Sequence, residues 1–346
     1  MNSKERVLST FQFVEPDRVP CWCGASPEFM GKARKQLNLT SDEEVRLLFG
    51  DDFRRVTASY APGKTIHSEN GPFGIARKGI GYGMAVNHPL SNATLEEIEN
   101  YNWPDPWDVD ISRYRQQAEI HCNDFAILGG DWSPFWHDVI DLVGMESLFI
   151  KMYTDPELIG NIFNKVVDYY FKVSTRIFEE AADLIDIFFI GNDFGSQTGP
   201  LIDENLFNQF ISPHLKRLAG LGHKYNLKVM LHCCGGFKEL IPSMIDAGID
   251  GIHAIQPSCR GMNITELKKE FGDKIVFNGC IDSHHVLIDG TPEYVRSETK
   301  RTLEIMKAGG GFIAGASHDY LLEETPVENV LAMFETIRDY GNYKKR

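Results

Sequence analysis

The chain has 346 residues, of which 42% are hydrophobic and 24% are charged, and its formal net charge at pH 7 is −14. This length suits two ordinary domains or one large α/β barrel, and the composition is typical of a soluble globular protein. The acidic balance argues against nucleic acid and against an anionic membrane surface as partners, although a few local cations could still hold a small anion.

Helix starts are well marked along the chain. Four segments fit the capping-box pattern, in which a side chain and the backbone of the first turn satisfy each other's unpaired groups. These segments begin at Ser41, Thr94, Thr154 and Thr325. Helical patterns are predicted over 158–180, 206–224, 293–307 and 327–340.

Eight short apolar or β-rich runs lie between these helical segments. Strands that alternate with helices imply parallel pairing, and eight such units predict a closed (β/α)8 TIM barrel. We interpret 1–346 as a single barrel domain with an N-terminal helical extension and an insertion over 59–103. Within the insertion, the glycine-rich segment 71–92 indicates a hairpin or lid, and a doubly wound open sheet is the alternative fold. The predicted strands are 19–23, 53–58, 125–128, 184–190, 228–231, 251–255, 275–277 and 311–314.

No export signal is recognisable, because the first residues do not combine a basic start, an apolar core and a small-residue cleavage site. The longest apolar runs, such as 184–190, are far shorter than the roughly 20 residues of a membrane helix. Seven cysteines, an odd number scattered over a long chain, do not resemble a disulfide framework. We therefore expect a reduced, soluble, cytoplasmic protein.

Polar side chains follow the predicted strands at their C-terminal ends, where the side chains of a barrel converge on one pocket. The pattern recurs five or six times, more often than chance would produce, and it predicts a site. Aspartates that follow strands are candidates for general acids, with helix capping as the alternative role. The catalytic candidates are Asp131 and Asp193. The candidates for substrate contact are Trp132, Trp136, Asn192, Gln197, Gln256 and Asp282.

The segment His232-Cys233-Cys234 indicates a metal site. Side chains two apart on a strand point the same way, so the imidazole of His232 and the thiol of Cys234 lie on one side of the chain. Zinc prefers these two ligand types, and a zinc site needs at least one more. The candidates for the third ligand are Cys280 and His318, with Asp193, Cys21 and Cys23 as outside candidates. A metal-free chain, with His232 and the cysteines as core residues, is the alternative.

Six segments spread over most of the chain match one known family. They are 17–20 (Asp-Arg-Val-Pro), 191–200, 232–235, 278–282, 310–312 and 325–329. Together they resemble the uroporphyrinogen decarboxylase superfamily and, within it, the methylcobamide-dependent (corrinoid) methyltransferase branch. The resemblance implies the (β/α)8 barrel independently of the strand count.

The branch is indicated by two of these regions. Decarboxylases of the family carry an N-terminal arginine motif that binds the porphyrinogen carboxylates, whereas 21–28 here read Cys-Trp-Cys-Gly-Ala-Ser-Pro-Glu. His232 and Cys234 match the first two zinc ligands of the methyltransferases. Those enzymes place a third ligand, a cysteine, shortly before a Thr-Pro helix start. His318 lies in that region here, so the resemblance implies His318 as the third ligand, with Cys280 in reserve.

The resemblance implies methyl transfer between a methylcobamide and a small acceptor, a thiol or tetrahydrofolate, with zinc assistance. The chain would be one component of a demethylation system of the O-demethylase type. We see no corrinoid-binding signature in the sequence, so the corrinoid is expected on a partner protein, and a homodimer stays open. Two alternatives remain, namely a decarboxylase of another substrate and a binding barrel without catalysis. The metal content of the purified protein distinguishes the decarboxylase from the methyltransferase. A complete methyl-transfer assay distinguishes the binding barrel, which would show no turnover.

The missing N-terminal arginines predict that the pure protein does not decarboxylate uroporphyrinogen at a meaningful rate. A substrate with many carboxylates needs fixed cations, and bidentate guanidinium groups suit that task best. The measurement is chromatography of the porphyrin products, with an authentic uroporphyrinogen decarboxylase as positive control. Steady formation of coproporphyrinogen would contradict the prediction.

Overall fold

The computed structural model describes residues 1–60, 72–79 and 83–343. Its strands are β1 (Cys21–Trp22), β2 (Phe53–Arg55), β3 (Ser59–Tyr60), β4 (Arg77–Lys78), β5 (Met84–Ala85), β6 (Val109–Asp110), β7 (Ala126–Gly129), β8 (Ile187–Gly191), β9 (Gly195–Ser196), β10 (Gly199–Pro200), β11 (Lys228–His232), β12 (Gly251–Ile255), β13 (Val276–Ile281) and β14 (Phe312–Ala316). Its α-helices are α1 (Ser3–Phe11), α2 (Pro27–Leu37), α3 (Asp42–Phe49), α4 (Leu95–Glu99), α5 (Tyr114–Glu119), α6 (Phe135–Val143), α7 (Met145–Thr154), α8 (Pro156–Ala181), α9 (Glu204–Phe210), α10 (Ser212–Lys224), α11 (Ile241–Asp246), α12 (Ile264–Phe271), α13 (Pro292–Met306) and α14 (Val327–Tyr340).

Eight strands form one parallel sheet in the order β1-β14-β13-β12-β11-β8-β7-β2. Apart from the step from β1 to β14, neighbours in the sheet are successive barrel strands in the chain, which is the arrangement of a (β/α)8 barrel. Pairing of β1 with β14 brings the last strand back to the first. The predicted fold is confirmed, and each of the eight predicted strand runs overlaps one barrel strand.

Side chains alternate between the two faces of each barrel strand and so form an inner and an outer core. The side chains of the inner core fill the interior of the barrel along the described strands. The outer core joins the other faces of the strands to the surrounding helices, and it contains most of the buried apolar residues. Strand residues of the inner core include Phe53, Leu128, Phe189, Met230, Val276 and Ile313.

The barrel is closed between β1 and β2 by an aspartate rather than by a backbone ladder. The Asp52 N–H donates to the Cys21 carbonyl oxygen at 3.0 Å, and the Asp52 carboxylate accepts from the Cys21 N–H at 2.7 Å. The same carboxylate accepts from Arg6 at 2.7 Å and from Arg18 at 2.9 and 3.0 Å. Asp52 is fully buried, so these donors offset the cost of burying its charge. Arg18 belongs to the motif at 17–20, and this motif therefore helps to close the barrel.

Helix α1 covers the N-terminal end of the barrel. Its Val7 and Phe11 are buried in the inner core, and they pack there with the first residues of several strands, including Ala126 and Val276. The predicted N-terminal helical extension is thus confirmed, and it leaves the C-terminal ends of the strands as the open end.

The helix-start predictions are confirmed in part. Capping boxes form at Ser41 and Thr94. The prediction at Thr154 is wrong, because Thr154 is the last residue of α7 and the neighbouring Asp155 caps α8 instead. The prediction at Thr325 is also wrong, since α14 begins after Pro326 without a side-chain cap.

The predicted helix over 206–224 is two helices, α9 and α10, that break at Ile211. Pro213 lies in the first turn of α10. Proline has no N–H to donate to a preceding turn, so a continuous helix through this position would lose a hydrogen bond. The break therefore follows from a residue that is visible in the sequence.

The predicted hairpin in the insertion is confirmed where the structure describes it. Strands β4 and β5 pair antiparallel, and Arg77 on β4 binds Asp138 and Asp141 of α6 at 3.5 and 2.5 Å. Residues 61–71 and 80–82 of the predicted insertion lie outside the described residues. None of the helices in the described ranges is long and apolar enough to cross a membrane.

We expect Asp52→Asn to lower the free energy of unfolding by about 3–5 kcal/mol, because it leaves two largely buried arginines without their shared carboxylate. Urea unfolding followed by circular dichroism measures this change. The control is Asp42→Asn, which removes an exposed pair with Arg34 and should cost less than about 1 kcal/mol. Equal losses in the two variants would contradict the role of Asp52 in closing the barrel.

Candidate functional site

Three potential metal ligands meet at the open end of the barrel. Asp193 follows β8, His232 ends β11, and Cys234 lies two residues further on. One ligand atom from each of the three lies within 4.8 Å of the others. Strands β8 and β11 are direct neighbours in the sheet, with Gly191 paired to His232, so the parallel register itself brings these strand ends together.

The spacing of the donor atoms fits a tetrahedral zinc ion. His232 Nε2 lies 3.4 Å from Cys234 Sγ and 3.4 Å from Asp193 Oδ1. Zinc bonds of about 2.0–2.3 Å at tetrahedral angles would set neighbouring ligand atoms roughly 3.3–3.6 Å apart. Nitrogen, sulfur and carboxylate oxygen are all zinc ligands, and three of them leave a fourth position open, as in catalytic sites.

A close contact between two loops holds Asp193 beside Cys234. Gly235 has a φ of +89°, and a Cβ at this position would lie 2.3 Å from the carbonyl carbon of Gly195. Only glycine tolerates both the conformation and the approach. The contact allows the Cys234 N–H to donate to Asp193 Oδ1 at 2.7 Å.

The charges of the cluster support one another in the metal-free protein. Burial alone would raise the pKa of Asp193, but hydrogen bonds and charges from His137 and His232 hold that pKa well below its usual range. Burial opposes the charged form of His232, yet Cys234 and Asp193 raise the pKa of its imidazole well above the ordinary value. Asp193 is therefore ionised at neutral pH. An ionised carboxylate accepts protons rather than donating them, and the catalytic role of Asp193 stays a prediction.

A second histidine, absent from the sequence-based candidates, lies behind the first. His253 on β12 is fully buried, and its Nδ1 lies 3.0 Å from Nδ1 of His232. Its ring packs against Trp22 and Phe189, with centroid distances of 4.6 and 5.7 Å. Burial, together with the charge of His232, lowers the pKa of His253 well below its ordinary value, so this ring is neutral.

Trp132 forms part of the wall beside the cluster. Its indole lies 5.4 Å from the His232 ring and 5.0 Å from the Phe189 ring, measured between centroids. A Cβ at Gly191 would lie 2.0 Å from this indole, so the glycine provides the space that Trp132 occupies. The predicted substrate contact of Trp132 stays a prediction, and the half-buried indole lies where such a contact requires it.

A cavity of about 190 Å³ lies beside β1 and β2, and none of the three potential ligands lines it. Asp319 lines it and also lies within 4.8 Å of His232 and His253, counted between ligand atoms. The guanidinium of Arg55, at the end of β2, also borders the cavity and stacks 4.6 Å above the Trp132 ring. The volume is below the roughly 300–1,000 Å³ of pockets for drug-sized ligands, so the cavity suits a small molecule.

Asp131 follows β7 and differs from Asp193 in its environment. Burial raises the pKa of Asp131 to about 6, against the smaller opposing effects of the Ser133 N–H and the Arg55 charge. The Ser133 N–H donates to Asp131 Oδ1 at 3.0 Å. A carboxyl group with this pKa can exchange a proton near neutral pH, so the acid or base role of Asp131 stays a prediction.

Two predicted substrate contacts are placed in the core instead. Trp136 is fully buried and stacks on Phe163. Asn192 is also fully buried: its Oδ1 accepts from the Trp136 N–H at 2.8 Å, and its Nδ2 donates to the Ser133 carbonyl at 3.1 Å. Both predictions are corrected, because neither side chain is exposed at the mouth.

Three further candidates lie in the loops around the mouth. Gln197 is exposed at the turn between β9 and β10. Gln256 Oε1 accepts from the Gly235 N–H at 2.8 Å, and Asp282 accepts from two backbone N–H groups of the π-helix Ser283–Ile288. Gln256 and Asp282 therefore hold loops in position, and their contacts with substrate stay predictions.

Asp193, rather than the expected third ligand His318, lies with His232 and Cys234 in one group of potential ligands. Within the described part of the chain, no group of three ligand atoms within 4.8 Å includes His318 or Cys280. His318 Nδ1 accepts from the Tyr320 N–H at 3.2 Å. Cys280 is buried in the outer core, where burial raises the pKa of its thiol far above the usual value.

Cys21 and Cys23 also lie in the outer core. The intervening Trp22 points into the barrel and belongs to the inner core. The two cysteines therefore lie outside the inner core, although Cys23 also borders the cavity. Both are buried, and neither belongs to a group of three potential metal ligands among the described residues.

Alternation could have identified two of the residues that the sequence analysis missed. His253 interrupts the apolar run 251–255, and Arg55 ends a run that starts with Phe53. A polar side chain in a barrel strand must face the interior, the helices or the mouth, and the first two are costly without a partner. Such residues are therefore candidates for the site.

The model of the family described as Uroporphyrinogen decarboxylase (URO-D) matches residues 88–340, which is more than half of the chain. The chain belongs to the URO-D family. The family predicted from sequence motifs is thus confirmed.

The relatives found by sequence comparison have two different names. Methylcobamide:CoM methyltransferase MtbA of Methanosarcina mazei is 20% identical over 265 residues, covering 74% of this chain and 71% of that protein. Uroporphyrinogen decarboxylase of Pseudoalteromonas translucida is 21% identical over 277 residues, covering 75% and 72%. A solved structure described as a methyltransferase from Methanosarcina mazei has a TM-score of 0.72 at 18% identity and covers 98% of this chain and 99% of its own. At this identity the structural likeness supports the shared barrel of this URO-D family member.

We expect Asp131→Asn to stabilise this URO-D barrel at pH 7.5 but not at pH 4. A folded-state pKa raised from 3.8 to about 6 means that the wild-type aspartate loses stability as the pH rises through this window. Asparagine removes that loss, and one pKa unit corresponds to about 1.4 kcal/mol, so the gain should be about 1–3 kcal/mol. Thermal unfolding at the two pH values measures it. The exposed Asp246→Asn is the control, and a gain of the same size at pH 4 would contradict the explanation.

Proposed function

We propose that the chain, acting as one barrel domain, is the methyltransferase component of a corrinoid-dependent demethylation system. It would move a methyl group between a methylcobamide and a small acceptor. The observation that carries the proposal is the group of Asp193, His232 and Cys234 at the barrel mouth, with donor atoms at the spacing of a zinc site. Relatives named methylcobamide:CoM methyltransferases, at 20% and 24% identity, support the same class of reaction.

We assign Asp193 Oδ1, His232 Nε2 and Cys234 Sγ as the three protein ligands of a zinc ion. When bound, zinc supplies a Lewis acid that favours the thiolate form of a sulfur acceptor at neutral pH. The chain's own contribution is to fix the donor atoms in advance. Asp193 is held by the Cys234 N–H, and the Gly195–Gly235 contact keeps the two loops together.

The acceptor that fits the mouth best is a small thiol with an acidic group. The cavity beside β1 and β2 has a volume of about 190 Å³, which favours a thiol over the larger tetrahydrofolate. Arg55 presents a guanidinium at the edge of this cavity, stacked on Trp132, and guanidinium groups bind acidic oxygens with two parallel hydrogen bonds. The acidic group would bind Arg55, and the sulfur would lie on the Asp319 side of the cavity, which is the side near His232.

The methyl donor is proposed to arrive on a separate corrinoid protein. The open end of the barrel carries the ligand cluster, whereas α1 fills the opposite end. A partner would therefore cover the mouth and bring its corrinoid over the acceptor. Asp131, with a pKa of about 6, is the candidate for taking up or releasing a proton as the acceptor binds and the product leaves.

We expect Asp193→Ala, His232→Ala and Cys234→Ala each to bind zinc at least about tenfold more weakly than the unaltered protein, because each change removes one of three ligands. Competition with a chromophoric chelator measures the affinity, and elemental analysis measures zinc per chain. The matched control is Cys233→Ala. Its thiol is adjacent in sequence but lies in the outer core, where it accepts from the Phe194 N–H, so this variant should keep its zinc.

Two further variants identify the third ligand. His318→Ala and Cys280→Ala should retain zinc. Loss of zinc from His318→Ala, with retention by Asp193→Ala, would reverse our choice.

Methyl transfer from methylcobalamin or a methylated corrinoid protein to thiols should occur with the unaltered protein and be lost in Cys234→Ala. A zinc-free protein without turnover, tested beside an active methyltransferase, would favour the binding barrel instead.

A further inference from the structure

We propose that His253 is a positioning residue that fixes the tautomer and the ring orientation of the zinc ligand His232. The inference deepens the proposed function and rests on it. Its basis is the contact between the two imidazole rings, whose Nδ1 atoms are 3.0 Å apart.

The contact has only two arrangements of hydrogens, and only one of them suits a metal ligand. A hydrogen bond between two ring nitrogens needs a proton on one and a lone pair on the other. When His253 donates, the proton of a neutral His232 must lie on Nε2, where it blocks the atom that faces Cys234 and Asp193. When His253 accepts, the proton of His232 lies on Nδ1, and Nε2 keeps its lone pair for the metal.

The remaining nitrogen of His253 does not decide between the two arrangements, and the need for a free lone pair on His232 Nε2 selects the second. With its Nδ1 accepting, the ring carries its proton on Nε2. That atom is buried and has no hydrogen-bond partner among the described residues. The Nδ1 contact with His232 is therefore the side-chain hydrogen bond that the described residues offer the His253 ring.

Packing prevents His253 from turning away. The ring is fully buried inside the barrel, with Trp22 at 4.6 Å and Phe189 at 5.7 Å between centroids. Trp22 and Phe189 also contact each other, and a ring packed against this pair keeps its orientation and transmits it to His232. An apolar residue would fill this interior position without leaving a polar atom unsatisfied, so packing alone does not explain a histidine here.

The inference predicts a loss of zinc affinity when the acceptor is removed. His253→Leu keeps a similar volume without an acceptor, and we expect its zinc dissociation constant to rise about 10–100-fold, the usual effect of removing such a supporting hydrogen bond. His253→Asn places an acceptor oxygen near the position of Nδ1 and should restore most of the affinity. Chelator competition measures both. The visible spectrum of the cobalt-substituted protein reports the ligand geometry, and it should shift in His253→Leu but not in His253→Asn.

Asn278→Leu is the matched control for changes inside the barrel. Asn278 is fully buried on β13 and contacts Met230 rather than a proposed ligand, so the variant should bind zinc normally with an unchanged cobalt spectrum. Equal weakening in Asn278→Leu and His253→Leu would overturn the inference in favour of general packing, and unchanged affinity in His253→Leu would overturn it directly. If the unaltered protein binds two metal ions per chain and His253→Leu binds only one, His253 is itself a metal ligand. That result would overturn the positioning role. Failure of the unaltered protein to bind zinc would instead overturn the proposed function on which the inference rests.

Discussion

A buried carboxylate at the joint between the first two strands is the constraint on which the barrel depends. Backbone pairing closes every other joint, but here Asp52 accepts hydrogen bonds from Arg6, Arg18 and the Cys21 N–H. The stability of this joint therefore depends on one ionic cluster. Its members come from α1, from the 17–20 motif and from the residue before β2. Closure at this joint is what turns a row of strand ends into a ring around one mouth.

Within that ring, chemistry depends on a second, more local contact. The barrel register brings the ends of β8 and β11 together, but it leaves the following loops free to diverge. The approach of Gly235 to Gly195 removes this freedom and sets a carboxylate beside a thiol. Side chains that carry the chemistry are thus positioned by residues that have no side chain at all. The same logic applies to Gly191, whose missing Cβ provides the space for Trp132.

The sequence is sufficient for the barrel but only partly for the site. Strands such as β12 are short, mostly apolar runs between clear helix starts. At the end of β11, the alternation of side chains along a strand predicts that residues 232 and 234 lie on one side of the chain. The third ligand depends on contacts between loops far apart in sequence, so the motif spacing favours His318 although Asp193 lies in the cluster. Strand-end patterns give a position without a direction, so they do not distinguish the core residue Trp136 from a site residue. The partnership of His253 with His232 follows from the pairing of β11 with β12, which is visible only once the sheet is known.

The covering of one barrel end by α1 has a kinetic consequence for a reaction with two substrates. Val7 and Phe11 fill the floor, so in the proposed reaction the small acceptor and a protein-borne corrinoid would share the entrance at the barrel mouth. A large partner seated on that entrance would obstruct exchange of anything beneath it. The acceptor would therefore bind first and its methylated product leave last, after the partner departs. Such a compulsory order makes the rate of partner dissociation a ceiling on turnover.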